Sequence, residues 1–589
     1  MIDKILKKHI FVFGIVIYAI IYFIMIMNMY PLHTPSEELG AMSGAAFIAG
    51  YDWSAVVSSD CNYYGVGFYS ICFPFFKFIK NPVVIYRCII GVNALIRIFI
   101  SIISYYIGKR FLEISNTLLL SIVSLLIPLV QVSRISRGAH NDLVLDGLLW
   151  IVVLLVCCLL NAKSLIGIIM SGIGLSVSLL YGMAIHTRWI IVIFVVPIML
   201  MIVCMFAHKK WIYYVPCLVI TACLYPFFSK VVNQIKEWIW ITEGPIHNGN
   251  ISVSEKINYF SPTTWKLWTD MILGNIGTWI IVTGGLASFV IIALSFWASK
   301  KIRTKKMEGG DCFILTISGI SILCMVGTLL GLLVSNWTSD MMQGYILGQY
   351  NSYSFKAMTY LRYWGAYASP LVICAIAIVD KYDLGNKYKN RMLILDLVFV
   401  AGFIFRILPY IKDNEDALKN SFSGICGMKY DGEILCSDYF AISIVLSLQI
   451  MIIIFILFYR NKIKMAMTVW LVFLSVGMIS GIWNYDIPQQ ISFCNSVNGI
   501  VSYYRTLKDE DQPETLYVVE QNPKWDNNRK QSVLIQFYLF DKSVSSLLPE
   551  KFKEGDAIVS REDISDKLLK EYDYEVIELD ENEFWYWIQ

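Results

Sequence analysis

Long apolar runs constrain this chain more than any other feature of its sequence. A bilayer core about 30 Å thick is crossed by roughly 20 apolar residues in a helix, and about thirteen runs of suitable length occur. They lie near 10–30, 83–107, 114–133, 143–160, 164–182, 189–207, 212–228, 272–298, 312–335, 361–379, 392–411, 439–459 and 465–484. Apolar residues make up 57% of the chain and charged residues 16%, whereas soluble proteins have about 45–50% and 25%. The sequence therefore predicts a mainly α-helical, polytopic membrane bundle and excludes a soluble enzyme, a disordered scaffold and a nucleic-acid-binding protein.

The last hundred residues differ from the rest in charge. Residues 485–589 contain 21 acidic and 11 basic residues, whereas the preceding part of the chain is basic overall. Strands are predicted at 515–519, 556–560 and 574–579, and a helix at 561–570. We therefore expect a membrane domain over 1–484, which holds the catalytic site, and a small soluble α/β domain over 485–589.

Basic residues indicate how the chain is oriented. If the N-terminus is cytoplasmic, seven predicted cytoplasmic segments carry 20 Lys and Arg residues, as the bias toward basic cytoplasmic loops requires. This places the C-terminal domain outside the cytoplasmic membrane, together with long external loops at 31–82, 229–271, 336–360 and 412–438. The sequence contains no nucleotide-phosphate motif. An enzyme working on this face would take its activated substrate from the membrane, and a lipid-linked donor fits that requirement.

The first external loop contains two adjacent acids, Glu37 and Glu38. Adjacent like charges disfavour ionisation of both groups, so one of them is a candidate general base. Alternatively, Ser36 followed by two acids begins a helix. Further along, the loop is aromatic, with Trp53 and Tyr64 as candidates to stack on a sugar, although an interfacial helix has the same composition.

Several of these features occur together in a known family. The acid pair follows the first span, Gly50–Ser54 reads GYDWS, and Tyr63–Tyr69 reads YYGVGFY. With about thirteen spans, this pattern resembles the type C glycosyltransferases, polytopic enzymes that use polyprenyl-phosphate sugars. Relatives include the protein O-mannosyltransferases and the lipid A aminoarabinose transferases. The resemblance implies that Glu37 is the catalytic base, with Glu38 as its partner.

Arginines on the predicted external side are candidates for binding the donor phosphate. Arg134 and Arg137 precede His140 and Asp142, and the next external turn holds His186 and Arg188. An arginine presents a permanently charged fork to phosphate oxygens. We expect the two histidines and Asp142 to contact substrate. A lipid headgroup contact or an internal Arg–Asp pair remains an alternative for each arginine.

A third cationic segment precedes the tenth run. Arg362 and Tyr363 resemble the centre of a YGRYNE-like stretch in some bacterial members of the superfamily. This resemblance implies that Arg362 stabilises the leaving phosphate, with Tyr363 beside it. An interfacial arginine that reaches lipid headgroups is the alternative. The histidines outside the predicted cytoplasmic segments, with nearby acids, also suggest a divalent metal ion, although no HxxxH spacing identifies its ligands. These histidines are His33, His140, His186 and His247.

Together these features predict a membrane glycosyltransferase. It would transfer a hexose or pentose from a polyprenyl-phosphate donor to a glycan or lipid acceptor of the cell envelope, inverting the anomeric configuration. Two alternatives stay open: a transporter or flippase of lipid-linked glycans, and a ligase or polymerase that moves a whole glycan.

Overall fold

The computed structural model describes residues 2–61, 65–131, 137–206, 215–240, 261–304, 306–307, 309–336, 339–347, 358–412, 418, 422, 425, 429–430, 437–519, 531–565, 569–580 and 583–589. The helices of the N-terminal half are α1 (Ile2–Asn28), α2 (Pro35–Ala49), α3 (Ser54–Asp60), α4 (Tyr69–Phe78), α5 (Pro82–Arg110), α6 (Thr117–Leu126), α7 (Asp142–Asn161), α8 (Leu165–Ile185), α9 (Ile190–Phe206), α10 (Val215–Ile239) and α11 (Pro262–Val282). Those that follow are α12 (Leu286–Thr304), α13 (Gly309–Asn336), α14 (Ser339–Leu347), α15 (Gly365–Lys381), α16 (Gly385–Gly402), α17 (Leu408–Ile411), α18 (Ser437–Tyr459), α19 (Ile463–Gly481), α20 (Ile487–Asn495), α21 (Asn498–Thr506) and α22 (Gln531–Tyr538).

These helices form a multi-pass membrane protein. Among the described residues, nine helices are long and apolar enough to cross a membrane, or up to ten if the bent pair α11 and α12 is one span. The predicted class, mainly α with a small C-terminal sheet, is confirmed, while thirteen spans stay a prediction.

The single run predicted over 272–298 is divided in the structure. The helix axis bends by 112° between α11 and α12, because Gly284 and Gly285 adopt left-handed φ angles of 56° and 83° that suit glycine. Backbone groups freed by such a bend need partners inside a membrane. The Ser447 hydroxyl donates to the Ile281 carbonyl at 2.6 Å, and the Trp470 indole donates to the Gly284 carbonyl at 2.8 Å.

A five-stranded sheet ends the chain. Its strands are β1 (Thr515–Val519), β2 (Ser543–Ser545), β3 (Ala557–Ser560), β4 (Tyr574–Asp580) and β5 (Glu583–Ile588), in the spatial order β2-β1-β3-β5-β4. Strand β1 pairs in parallel with β2 and β3, with Val518 opposite Val559, and β5 pairs antiparallel with β3 and β4. The three predicted strands are therefore present in a mixed sheet.

The helix predicted over 561–570 is wrong for the residues described there. Residues 561–565 form bends and turns. The Asp563 carboxylate accepts from the Ser565 backbone N–H at 3.0 Å and from the Tyr586 hydroxyl at 3.0 Å. Short polar side chains that bind nearby N–H groups compete with helix formation, and helical periodicity did not reveal that competition.

The predicted domain boundary falls inside a helical segment. Helix α19 continues through a π-helical turn, Ile482–Asp486, into α20. A division of the chain at 484/485 therefore remains a prediction. Asp486, in the π turn, lies among membrane-domain side chains, as described below.

The C-terminal part packs on the first loop through α22. The buried Trp53 indole donates to the Phe540 carbonyl at 2.8 Å, and its ring packs edge-on against Phe76 and Phe537. The Asp60 carboxylate accepts from the Ser532 and Ser546 hydroxyls at 2.8 and 2.5 Å. The structure thus places Trp53 in an internal contact between the first loop and the C-terminal region.

Replacing Trp53 tests whether this contact holds the two regions together. We expect Trp53→Ala to lower the free energy of unfolding by about 3–5 kcal/mol, because it empties an aromatic site in a packed core. Trp53→Phe, which mainly loses the hydrogen bond, should cost about 1 kcal/mol. Thermal unfolding and limited proteolysis of the purified protein measure both. Equal stability of the alanine variant and the parent would contradict this role.

Candidate functional site

Four segments far apart in sequence meet at one cluster. Glu37 lies in the first turn of α2, His140 and Asp142 lie at the start of α7, Arg188 follows the end of α8, and Arg362 precedes α15. The cluster therefore forms where helices begin or end. Such ends can present charged side chains on a rigid base.

Arg362 is the centre of the cluster. Its Nη1 donates to both oxygens of Glu37, at 3.1 and 2.9 Å, and to the Tyr360 hydroxyl at 3.2 Å. Its Nε donates to Asp142 Oδ2 at 2.8 Å, and its Nη2 donates to His140 Nε2 at 2.9 Å. The Arg362 side chain is 2% exposed, whereas that of Glu37 is 18% exposed. Glu37 is therefore the acid of this cluster that an incoming molecule can reach.

Arg188 forms the second cationic element. Its Nη2 forms an ion pair with Asp142 Oδ1, and its guanidinium stacks over the Tyr363 ring, 5.4 Å from the centroid. Arg362 lies 5.9 Å from the same centroid. The Arg188 side chain is 16% exposed, whereas Asp142 is fully buried. Two guanidinium groups therefore share one carboxylate and one aromatic ring.

The histidines of the cluster are neutral at pH 7. Burial, followed by the charge of Arg362, lowers the pKa of His140 from 6.5 to about 4. The same two causes, with His140 itself, lower the pKa of His186 to about 3. Because a guanidinium only donates, the 2.9 Å contact from Arg362 Nη2 makes His140 Nε2 an acceptor. The hydrogen of the neutral ring is then on Nδ1, which lies 2.9 Å from Asp142 Oδ2.

Glu38 has a different environment from its neighbour. Its side chain is fully buried and accepts from three backbone N–H groups: those of His33 at 2.5 Å, Thr34 at 3.0 Å and Ala139 at 2.5 Å. The Tyr86 hydroxyl donates a fourth hydrogen bond, at 2.9 Å. Glu38 thus joins the start of α2 to the segment before α7, which carries His140 and Asp142.

A second buried carboxylate joins the same segments. Asp486 accepts from His33 Nε2 at 2.8 Å and forms an ion pair with Arg137, whose Nε lies 2.7 Å from Oδ2. The Arg137 side chain is 4% exposed. This is the internal Arg–Asp pair that the sequence left open for Arg137. In the structure, Arg137 lies in this buried pair with Asp486.

Close backbone contacts hold the first loop against the end of α8. The Gly67 N–H donates to the Ala184 carbonyl at 2.9 Å, and the Asn141 side-chain amide donates to the Ile185 carbonyl at 2.9 Å. Gly65 has a φ of 119°, and a Cβ there would lie 2.2 Å from the Ala184 carbonyl oxygen. Only glycine fits this approach, which positions the residues just before His186 and Arg188.

The structure brings together most of the residues that the sequence nominated. Those in the cluster are Glu37, His140, Asp142, His186, Arg188, Arg362 and Tyr363. Tyr64, Arg134 and His247 lie outside the described residues. Sequence reasoning missed Tyr360, Tyr86 and Asp486. The spacing of Tyr360 to Arg362 could have identified it. Tyr86 lies in an apolar run and Asp486 lies at the edge of the acidic tail, so their positions in the sequence gave no such signal.

A metal ion does not fit the arrangement of these side chains. The described part of the chain contains no group of three or more His, Cys, Asp or Glu residues placed to hold one. Glu37 and Asp142 instead flank the guanidinium of Arg362, which occupies the position between the two carboxylates.

Comparison with known proteins finds similarity to this chain in fold and not in sequence. The sequence matches no protein-family model and no curated protein. The fold matches ArnT from Cupriavidus metallidurans bound to undecaprenyl phosphate, at 12% identity over 98% of this chain and 97% of that one, with a TM-score of 0.54. The apo state of the same protein matches at 13% identity and the same coverage, with a TM-score of 0.53. The chain therefore shares the fold of ArnT over nearly its whole length, and the predicted resemblance is confirmed at the level of the fold.

Replacing Glu38 tests whether its buried hydrogen bonds stabilise the protein. We expect Glu38→Gln to lower the free energy of unfolding by about 2–4 kcal/mol, because the amide nitrogen of Gln cannot accept hydrogen bonds from the buried donors around it. The matched control is Glu550→Gln on the exposed surface, which should leave the unfolding temperature unchanged. Equal unfolding temperatures for the two variants would contradict this position.

Two histidines of the cluster, the buried His140 and the half-buried His186, predict a pH dependence of stability. Their pKa values are lowered in the native state. Between pH 6.5 and about 4 the unfolded chain therefore binds protons that the native protein does not. The free energy of unfolding should fall as the pH drops below 6.5, by about 1.4 kcal/mol per pH unit for each histidine. His140→Gln should show a shallower dependence in thermal unfolding between pH 7 and 5; an unchanged slope would refute the assignment.

Proposed function

We propose that this protein transfers a sugar from a polyprenyl-phosphate donor to an acceptor hydroxyl of the cell envelope. The observation that carries the proposal is the reachable carboxylate of Glu37 beside two guanidinium groups, Arg188 and Arg362. A base for the acceptor and permanent cations for a phosphate are the groups that this transfer needs. The type C architecture and the neighbour bound to undecaprenyl phosphate support it.

In the proposed reaction Glu37 takes the proton of the acceptor hydroxyl. The resulting oxygen attacks the anomeric carbon from the side opposite the phosphate, so that the new glycosidic bond has inverted configuration. The bond between the anomeric carbon and the phosphate oxygen breaks, and polyprenyl phosphate leaves with the electron pair. Arg188 and Arg362 stabilise its growing negative charge. The Tyr363 ring lies beside Arg188, with its centroid 5.4 Å from the guanidinium carbon.

Asp142 orients the cationic half of the site. It forms ion pairs with both Arg188 and Arg362 and accepts from His140. Fixing the two guanidinium groups before the donor arrives lowers the reorganisation needed in the transition state. His140 and His186, both neutral, contribute polar groups for the sugar hydroxyls without adding charge. The transferred sugar would be a hexose or a pentose.

We further propose that the site faces the outside of the cytoplasmic membrane. The start of α2, the start of α7 and the turn after α8 are all on the side opposite the most basic loops. The N-terminus would then be cytoplasmic and the acidic C-terminal domain extracytoplasmic. Thirteen spans follow if the apolar segment Thr117–Leu129, α10 and α15 also cross the bilayer, with α11 and α12 as one broken span.

Transfer by purified protein tests the proposal. The protein is incubated with a panel of polyprenyl-phosphate sugars and an envelope glycolipid extract, and the release of polyprenyl phosphate is measured. We expect Glu37→Gln to lower the rate by about 10²–10⁴, as for loss of a general base. Arg188→Lys should lower it by about 10²–10³, because lysine lacks the planar fork.

The exposed-surface variant Glu550→Gln is the control and should match the parent. Full activity of Glu37→Gln would eliminate Glu37 as the base. Movement of an intact lipid-linked sugar across a vesicle membrane, without release of polyprenyl phosphate, would indicate a flippase instead.

A further inference from the structure

Arg362 is hydrogen-bonded through all three of its guanidinium nitrogens inside the protein. Each of its three guanidinium nitrogens already donates a hydrogen bond: Nη1 to Glu37, Nε to Asp142 and Nη2 to His140. A phosphate that takes the Nη1 N–H groups of Arg362 must therefore displace Glu37 or the Tyr360 hydroxyl, which accept from them now. Phosphate contact and the existing contacts compete for the same N–H groups.

Burial indicates which acceptor gives way. The Asp142 side chain is fully buried and is also held by Arg188 and His140. His140 is fully buried as well. Glu37 is the most exposed of the three and lies in the first turn of α2, a short helix outside the described spans. Of the three contacts, that between Arg362 and Glu37 can open with the least loss of burial.

The charges of the cluster also indicate that Glu37 is the acceptor that gives way. Two guanidinium groups face two carboxylates, Glu37 and Asp142, and the nearby His140 and His186 are neutral at pH 7. The set is therefore electrically balanced without a ligand. A donor phosphate that arrives beside Glu37 is repelled by the carboxylate. The repulsion is relieved if Glu37 moves away and the phosphate takes its place beside Arg362, which Asp142 holds.

We propose that the donor phosphate replaces Glu37 as the partner of Arg362, and that this exchange releases Glu37 to act as the base. The proposal rests on the function proposed above and adds regulation of the base by donor binding at the same site. While both Glu37 oxygens accept from Arg362, the carboxylate is a poor proton acceptor, because a neighbouring cation favours its charged form. The base thus becomes competent only when a donor is bound. The acceptor hydroxyl is then deprotonated beside an activated sugar.

The exchange makes an unusual prediction for binding. Glu37→Gln should bind undecaprenyl phosphate more tightly than the parent, although it no longer transfers sugar. If the Glu37–Arg362 pair is closed in about nine of ten free molecules, removing the competitor raises the affinity about tenfold. Glu37→Ala should show the same direction. Binding is measured by titrating undecaprenyl phosphate into the full chain in nanodiscs of neutral lipid, at pH 7.

Arg362→Lys provides the second arm of the experiment. Lysine keeps the charge but cannot serve several acceptors in one plane, so this variant should bind several-fold more weakly. Adding Glu37→Gln to Arg362→Lys should gain much less than tenfold, because the competition acts through the guanidinium. Glu550→Gln, which removes one negative charge from the exposed surface, should leave the affinity unchanged. Comparison with it separates the local exchange from a general change in net charge.

The outcomes distinguish the exchange from the function it rests on. Equal or weaker binding by both Glu37 variants, with transfer lost, overturns the exchange and leaves the glycosyltransferase proposal standing. The exchange is also overturned if Glu37→Gln still raises the affinity tenfold in a protein that carries Arg362→Lys. The gain in affinity then does not act through the Arg362 guanidinium. If the parent neither binds undecaprenyl phosphate nor releases it from any donor, both proposals fail.

Discussion

The site depends on how a buried guanidinium is compensated. An isolated charge inside a protein is strongly unfavourable unless it is paired and hydrogen-bonded, and Arg362 is almost fully buried. Its partners come from the starts of α2 and α7, elements that are separated by about a hundred residues of sequence. Because Arg362 needs both partners, it brings Glu37, the candidate base, next to Asp142. Asp142 is also the partner of the second arginine, Arg188.

Two other carboxylates hold the cluster in place without taking part in it. Glu38 joins the start of α2 to the segment before α7, and Asp486 joins that segment to the π turn after α19. Consecutive residues of a helix point about 100° apart. Glu37 and Glu38 can therefore occupy opposite environments, one reachable beside two cations and the other enclosed by backbone N–H groups. A pair of identical side chains thus divides into one reactive candidate and one structural anchor.

The C-terminal part of the chain is closely tied to this arrangement. Asp486 belongs to the last long helical segment, and α22 packs against the loop that follows α2. The C-terminal region is consequently in contact with the elements that carry the acids. Strand β2 of its mixed sheet also packs against α3 in the first loop.

Composition and periodicity determined the class of this protein. A long series of apolar runs can bury its backbone only as membrane helices, and the acidic, alternating tail indicated a small α/β region. The sequence also selected Glu37, Arg188 and Arg362, because charged residues at the ends of apolar runs are unusual and invite a functional explanation. These inferences needed only local pattern and a family resemblance.

Which charges meet was decided by the tertiary structure. Arg137 and Arg188 looked alike in sequence, yet one is enclosed with Asp486 and the other is stacked on Tyr363 within reach of solvent. Trp53 looked like a sugar-stacking residue but lies in an internal contact with the C-terminal region. The bend between α11 and α12 and the turn after β3 were also hidden. Each of these outcomes depends on partners hundreds of residues away or on local hydrogen bonds that compete with a helix, and hydrophobic periodicity records neither.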